Sequence, residues 1–229
     1  DKLVRAMTDA EEDATINGNT SGNLGGGSIS DSKDKDGVTI TTTSSVKAWN
    51  GYRDYAPYTS CVDAASTEVS VSNIRDMRQN MGKYGVNPAD LALVTGPMGY
   101  IKMLGMKDAS GTQILQTIDK YGGQATLVTG ELGRVDGIPI ITSELVRETL
   151  DENGQVLASG TADRTMILLV NRPSFLYGDF RPMRLRSRDL IETDQSVLVI
   201  LQRLTFASWF GTADGAGDKV CLYTYNLQP

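Results

Sequence analysis

The 229-residue sequence predicts an α+β fold, and three observations carry that prediction. Apolar residues recur at helical spacing over residues 1–16, and short apolar runs alternate with helical patterns through the middle of the chain. Near the end, two long runs at 180–190 and 196–210 suit the arms of an antiparallel β-ribbon.

Leu3, Val4, Met7, Ala10 and Ala14 fall three and four residues apart among helix-favouring Ala and Glu, which predicts an amphipathic helix over 1–16. The chain opens at Asp1 inside that helix and reads as a processed or truncated product. "INGNTSGNLGGGS" ends the helix at Gly18, and its composition favours irregular backbone as far as Gly27. Residues 38–62 lean towards β-structure without a regular period.

A second helix is expected over 70–84, capped by Ser70 or Ser72, carried by Val71, Ile74, Met77 and Met81, and stopped by Gly85. A strand at 91–94 follows, then a helix opened by Pro97 with Met98, Ile101 and Leu104 turned inward. Further strands are expected at "ATLVT" (125–129), "IPIIT" (138–142), "TMILLV" (165–170) and "KVCLYTY" (219–225). Asn153-Gly154 lies between β-formers and predicts a small protruding hairpin.

The ribbon holds four arginines within residues 181–188. With a period of two, Arg184, Arg186 and Arg188 share one face, and Met183, Leu185 and Ser187 the other. A lone two-stranded ribbon is marginally stable in water and needs something to lie against, for which the first helix is the candidate.

Composition removes several classes of function. Twenty-two Lys and Arg against 28 Asp and Glu give a net charge of -6, whereas a dedicated nucleic-acid binder carries a basic excess over a whole face. No run reaches the ~20 apolar residues of a membrane helix, so no membrane partner is expected. The chain has no histidine, which excludes Ser-His-Asp and Cys-His activation and imidazole metal ligation. Cys61 and Cys221 are too few for a disulfide framework or a zinc cluster and read as core thiols. The Gly-rich stretch lacks the Gly-Lys-Ser/Thr ending of a phosphate loop. "DSKDKDG" offers Asp34, Asp36 and Gly37 of a calcium loop, but Ser32 and Thr43 stand where the anchoring acids belong. No cofactor and no metal is called for.

Several motifs, in their order, resemble a known family. They are "INGNTSG" after a helix, "YGVNPADLALV", "MKDASGTQIL", "VDGIPIITSEL", "MILLVNRPSFLYGDF" and "MRLRSRDLIETDQSVLVILQRLTFASWF", and they cover most of 1–20 and 70–229. Together they resemble the major capsid proteins of tailed phages, with the Hong Kong 97 fold. The resemblance implies a peripheral domain of residues 1–17 and 172–212, formed by the end of a spine helix and the ribbon. It implies a mixed α/β axial domain of 18–171 and 213–229. The family's N-terminal arm, long E-loop and first half of the spine helix have no counterpart here, and with them goes any basis for lysine-asparagine cross-links. Residues 20–66 match poorly.

By this resemblance the protein is a structural, non-enzymatic shell subunit. It would self-assemble into pentamers and hexamers of an icosahedral head in the host cytoplasm and end in the virion. It would touch packaged double-stranded DNA weakly and without sequence preference, and scaffold, portal or decoration proteins are the other partners the family implies. Arg184, Arg186 and Arg188, with Asp189, Glu192 and Asp194, are expected at the subunit interface, arginine gripping carboxylates of neighbouring copies through its planar fork. Lys107, Asp108 and Gln113 occupy the place of the family's capsomer-axis loop. Two other functions stay open: an encapsulin-like nanocompartment enclosing protein cargo, and a carboxylate-based hydrolase using Glu11 and Glu12 or Asp151 and Glu152.

Overall fold

The structure is a computed structural model that describes residues 2–20, 31, 33, 38–107, 116–117, 131–156, 163–190, 195–210 and 218–228. The expected strand at 125–129, the "DSKDKDG" turn apart from Asp31 and Lys33, the glycines after Gly18 in the first loop and most of the 106–124 loop lie outside the described residues.

The helices are α1 (Lys2–Asn17), α2 (Tyr52–Tyr55), α3 (Val71–Met81) and α4 (Pro97–Leu104). The strands are β1 (Val62–Asp63), β2 (Leu91–Thr95), β3 (Gln116–Thr117), β4 (Glu131–Val135), β5 (Ile138–Thr142), β6 (Thr165–Asn171), β7 (Phe175–Leu190), β8 (Gln195–Ser208) and β9 (Cys221–Leu227). Seven strands form one mixed sheet in the order β1-β9-β6-β2-β5-β4-β3, and β7 and β8 form a separate two-stranded sheet. In the mixed sheet, β1 runs parallel to β9 and β2 to β5, and the remaining pairs are antiparallel. None of the described helices is long and apolar enough to cross a membrane.

Strands β6 and β9 are buried along their whole length, because the sheet is covered on both faces. That is why "TMILLVN" reads as a continuous apolar run and not as an alternation. Ile167 and Leu169 face a core with Ile74, Met77 and Met81 of α3 and Met103 of α4. Met166, Leu168 and Val170 face a second core with Ile16 of α1, Ala56, Leu145, Val146 and Tyr223. Both cysteines are free thiols in or against these cores, and burial pushes the Cys61 thiol up to about 12.

The helix ends show where local chemistry governs. Ser70 caps α3 by accepting the N–H of Asn73. The helix stops at Met81, three residues short of the expected end at residue 84, because Gly82 takes φ +58 and ψ -122, a region only glycine enters freely. A 3-10 turn then carries the chain to Gly85. At α4 the outcome differs from the expected inward face at two of its three residues: Leu104 packs against the core, but Met98 and Ile101 are exposed, and Gly99 and Met103 are buried. Gly99 sits so close to β2 that a Cβ would lie 2.2 Å from Thr95 Oγ1, which rolls the helix onto its smallest residue. Glu148 caps this helix from outside, accepting the Met98 N–H at 2.6 Å.

Asp136-Gly137 joins β4 to β5 with φ +50 and +80, the two-residue turn whose twist suits a hairpin. Arg75 of α3 grips Asp136 through two nitrogens at 2.8 and 3.1 Å. At Asn153-Gly154 the turn forms, with Asp151 accepting N–H groups of Asn153 and Gln155, but it does not protrude. Its flanks meet only through an isolated Leu150–Arg164 bridge, and Gly154 and Val156 are buried.

Hydrogen bonding to Arg75, then the charge of that guanidinium, holds the Asp136 carboxyl below its ordinary value of 3.8. A depressed carboxylate adds stability above its unfolded pKa and loses it as pH falls through the folded one. Asp136→Asn keeps the turn but removes this contribution, so its melting temperature is expected to lie below wild type at neutral pH. Thermal melts should show the gap closing only below the ordinary carboxylate range; a gap that persists unchanged into strong acid contradicts the linkage.

Candidate assembly surface

The segment "YRDYAPYTS", which carried no clear period, turns out to hold the ribbon to the body. It begins with α2, whose Tyr52 and Tyr55 meet Phe175 at the start of β7 and Phe206 near the end of β8. The two phenyl rings stack at 5.5 Å, and Tyr52 sits edge-on to both at 4.8 and 5.2 Å. Edge-to-face rings add directional preference to their buried area, so the root has a fixed angle to the sheet. Burial pushes the Tyr52 hydroxyl up to about 12. Ser174 O accepts the Trp209 N–H at 2.8 Å, tying the two strands together where they leave the body. On the return, Tyr84 Oη donates to Asp218 at 2.5 Å and Lys83 lies 3.3 Å from it, which together hold that carboxyl below its ordinary value.

Between those tyrosines lies Arg53, fully buried. Its guanidinium meets Asp31 at 2.6 Å and donates to Gly154 O at 2.9 Å and Asn17 Oδ1 at 3.3 Å. Burial pulls its pKa down, but the Asp31 carboxylate more than offsets this and the net direction is up. Asp31 also accepts the Val156 N–H. Beside this pair, buried Asp13 lies 3.4 Å from Arg147, and Asn17 bridges Asp13 to Leu145 O. The end of α1, α2 and the 145–156 segment are thus fastened by charge in the interior.

Away from its root the ribbon is open. Burial alternates along β8, with Ile200, Gln202 and Leu204 half-buried on the face towards α1 and Leu201 and Arg203 exposed on the other. Tyr177, opposite Phe206, donates to Glu11 of α1 at 3.2 Å, so α1 lies beside the ribbon root. Arg184, Arg186 and Arg188 pair with Leu201, Val199 and Val197, which places all three on the face away from α1, exposed and next to exposed aliphatic side chains. None of them pairs with a carboxylate among the described residues. Leu185 and Ser187 share the other face, as the period of two required.

Two arginines join that face unexpectedly. Arg181 lies opposite Arg203, because β7 carries extra residues between Asp179 and Arg181 and again between Arg181 and Arg184. The irregularity between Arg181 and Arg184 shifts the phase by one position and brings Arg181 onto the face, and Arg203 reaches it by the unbroken alternation of β8, so five arginines share a face to which strict alternation along β7 gives three. Pro182 was the available signal, since proline within a strand marks an edge or a bulge.

The other expected site residues are placed as follows. Asp189 pairs with Ser196 on the face opposite the arginines and accepts the Ser196 hydroxyl at 2.6 Å. Glu192 and Asp194 lie outside the described residues, as do Asp108 and Gln113. Lys107 is exposed just beyond α4. The proposed acid pairs do not converge: Glu11 turns to Tyr177 and Glu12 to Ser143, Asp151 is used in its own turn, and Glu152 is exposed.

No protein-family model matches the sequence. No curated protein matches it either. Among solved structures, the chain superposes over its entire length on the capsid of an empty GTA particle, with TM-score 0.53 and 13% identity. It superposes equally on the capsid of the native GTA particle, with TM-score 0.53 and 12% identity over 100% of the chain. The fold is that of a Hong Kong 97-type capsid protein. Each GTA subunit is longer, and the chain spans 64% of it. A weaker likeness, TM-score 0.39 at 14% identity over 67% of the chain and 46% of the other, is to the mature capsid of bacteriophage PhiM1. At such identities the likeness shows the fold alone.

Replacing Arg53 by Met should cost about 3–5 kcal/mol in chemical denaturation, because it leaves the Asp31 carboxylate buried without its partner. The double variant Arg53→Met, Asp31→Leu should recover a large part of that loss. A double variant no more stable than the single one would show that the charge pair is not the fastening.

Proposed function

We propose that this chain is a subunit of an icosahedral phage head, assembled through pentamers and hexamers around double-stranded DNA. The observation that carries the reading is the full-length superposition on the two GTA capsids. The domain division is proposed with it: residues 1–17 and 172–212 peripheral, 18–171 and 213–229 axial. Assembly would take place in the host cytoplasm, the product being the virion, with scaffold, portal or decoration proteins as further partners.

The ribbon supports this reading physically. An arm of two strands exposing Val197, Val199 and Leu201 on one face and Leu185 and Leu198 on the other leaves apolar surface in water that only a partner can cover. Aliphatic side chains interleaved with arginine match the composition of interface centres, where Arg is enriched and Lys, Asp and Glu are depleted. Arg184, Arg186 and Arg188 are assigned to carboxylates of neighbouring copies, with Asp189, Glu192 and Asp194 as reciprocal acids, and Lys107, Asp108 and Gln113 to the loop around the capsomer axis.

Electron microscopy and light scattering of the purified protein should reveal closed particles, and nuclease-protected DNA should co-purify from expressing cells. Particles filled with protein and free of DNA would turn the reading towards a nanocompartment, and a monomer at all concentrations would remove it. Arg186→Glu should abolish particles without moving the unfolding midpoint; normal particles from that variant would end its interface role.

A further inference from the structure

The ribbon carries a knob and a hole at the same height on opposite strands. The knob is Phe180, the extra residue between Asp179 and Arg181 in the first irregularity of β7, and at 74% exposure it is the most exposed large apolar side chain among the described residues. A bulge of this kind re-aims the side chain it carries. The hole is a cavity of about 370 Å³ between α1, the 45–49 turn and β8. Small residues open it: Ala10 and Ala14 on α1 and Ala48 on the turn, with Trp49 and Leu204 as larger apolar walls. Its strand wall is Gln202 and Leu204 of β8, with Arg203, whose side chain belongs to the other face of the ribbon, at the rim, and Leu204 lies directly opposite Asp179.

The cavity wall is also chemically incomplete. Glu11 Oε1, Trp49 Nε1 and Gln202 Oε1 are buried and have no hydrogen-bond partner, although all three residues line it. Buried polar groups are normally hydrogen-bonded, by solvent in an open cleft and by a partner's polar groups in an assembly, so these atoms bear on the side chains that flank an occupant and not on its ring. Charge identifies the occupant. The knob stands between an acid, Asp179, and a base, Arg181, and the hole between a base, Arg203, and an acid, Glu11. The two halves can therefore be seated with opposite charges facing, Arg181 towards Glu11 and Asp179 towards Arg203.

We propose that Phe180 of one copy enters the α1–β8 cavity of the next, packing its ring against Trp49 and Leu204. The contact rests on the shell reading and deepens it, naming the self-recognition site. Because knob and hole are different surfaces of the same chain, the interface is head-to-tail. Each copy has one free knob and one free hole, so association continues until the geometry closes a ring.

This geometry makes a test that simple association cannot mimic. Phe180→Ala removes the knob and leaves the hole; Ala10→Phe fills the hole and leaves the knob, with Ala48→Phe as the substitute if Ala10→Phe lowers the melting temperature. In sedimentation velocity each variant alone should associate roughly tenfold or more weakly than wild type. An equimolar mixture should form heterodimers and nothing larger, since one knob meets one hole and the remaining two are blocked. With Trp209→Phe as background, Trp49 emission should shift on mixing. Variants that assemble like wild type, or a mixture without heterodimers, overturn this contact and leave the shell reading standing. A wild-type chain that stays monomeric overturns both.

Discussion

A single buried guanidinium organises the molecule. Arg53 cannot be charged in the interior without a partner, because desolvating an ion costs several kcal/mol that only close opposite charge and hydrogen bonds return. Its partners come from distant parts of the chain: Asn17 at the end of α1, Asp31 in the following loop, and the carbonyl of Gly154. Loss of Asp31 would strand the charge, and loss of either of the other two would leave a buried N–H without its acceptor. The two tyrosines flanking it in sequence reach the other way, to the phenylalanines at the ribbon root. One short helix, α2, thereby fixes α1, the 151–156 turn and the ribbon relative to the central sheet. A hydrophobic contact in the same place would tolerate sliding, whereas a fork of hydrogen bonds has one orientation.

The two sheets use the same chemistry for opposite ends. In the central sheet, β6 and β9 are apolar on both faces because both are covered, and the reward is burial. The ribbon is apolar on parts of both faces while exposed, so the same residues are a cost in the isolated chain. Stability is not the reason for that arrangement. Strand β8 has fourteen residues with one charged side chain, Arg203, whereas β7 carries Pro182 and two irregularities that spoil its outer edge as a template. A protein that had to remain alone would blunt both edges.

The central fold was legible because its signals are local or periodic. "TMILLV" announces a covered strand, "IPIIT" a strand beside it, and Ser70 a helix start. The ribbon was legible from its length and alternation. What escaped was long-range. Nothing near Arg53 in sequence indicates that a carboxylate twenty-two residues away will bury with it, and a mixed run such as "YRDYAPYTS" has the composition of a surface loop. Arg181 escaped for a different reason: counting by two assumes an uninterrupted ladder, and β7 is interrupted at Pro182. The roll of α4 depends on one close approach, Gly99 against Thr95, which a helical wheel weighs as a missing side chain and not as a contact.

Charge placement bears on how such a chain can meet copies of itself. The net charge is -6, and taking five arginines on one ribbon face out of that total leaves -11 on the rest. Two bodies of that charge repel at long range, and at physiological salt the repulsion dies within ~8 Å. The basic face is therefore the region where approach is not penalised, and it lies on an arm that projects from the acidic body. Electrostatics of this kind contributes little net affinity once desolvation is counted, but it discriminates strongly between orientations. Affinity must then come from apolar surface close to the arginines, which Val197, Val199 and Leu201 provide on the same face. Salt should accordingly act mainly on the rate and fidelity of encounter, and much less on the lifetime of a contact once Arg and Val are both covered.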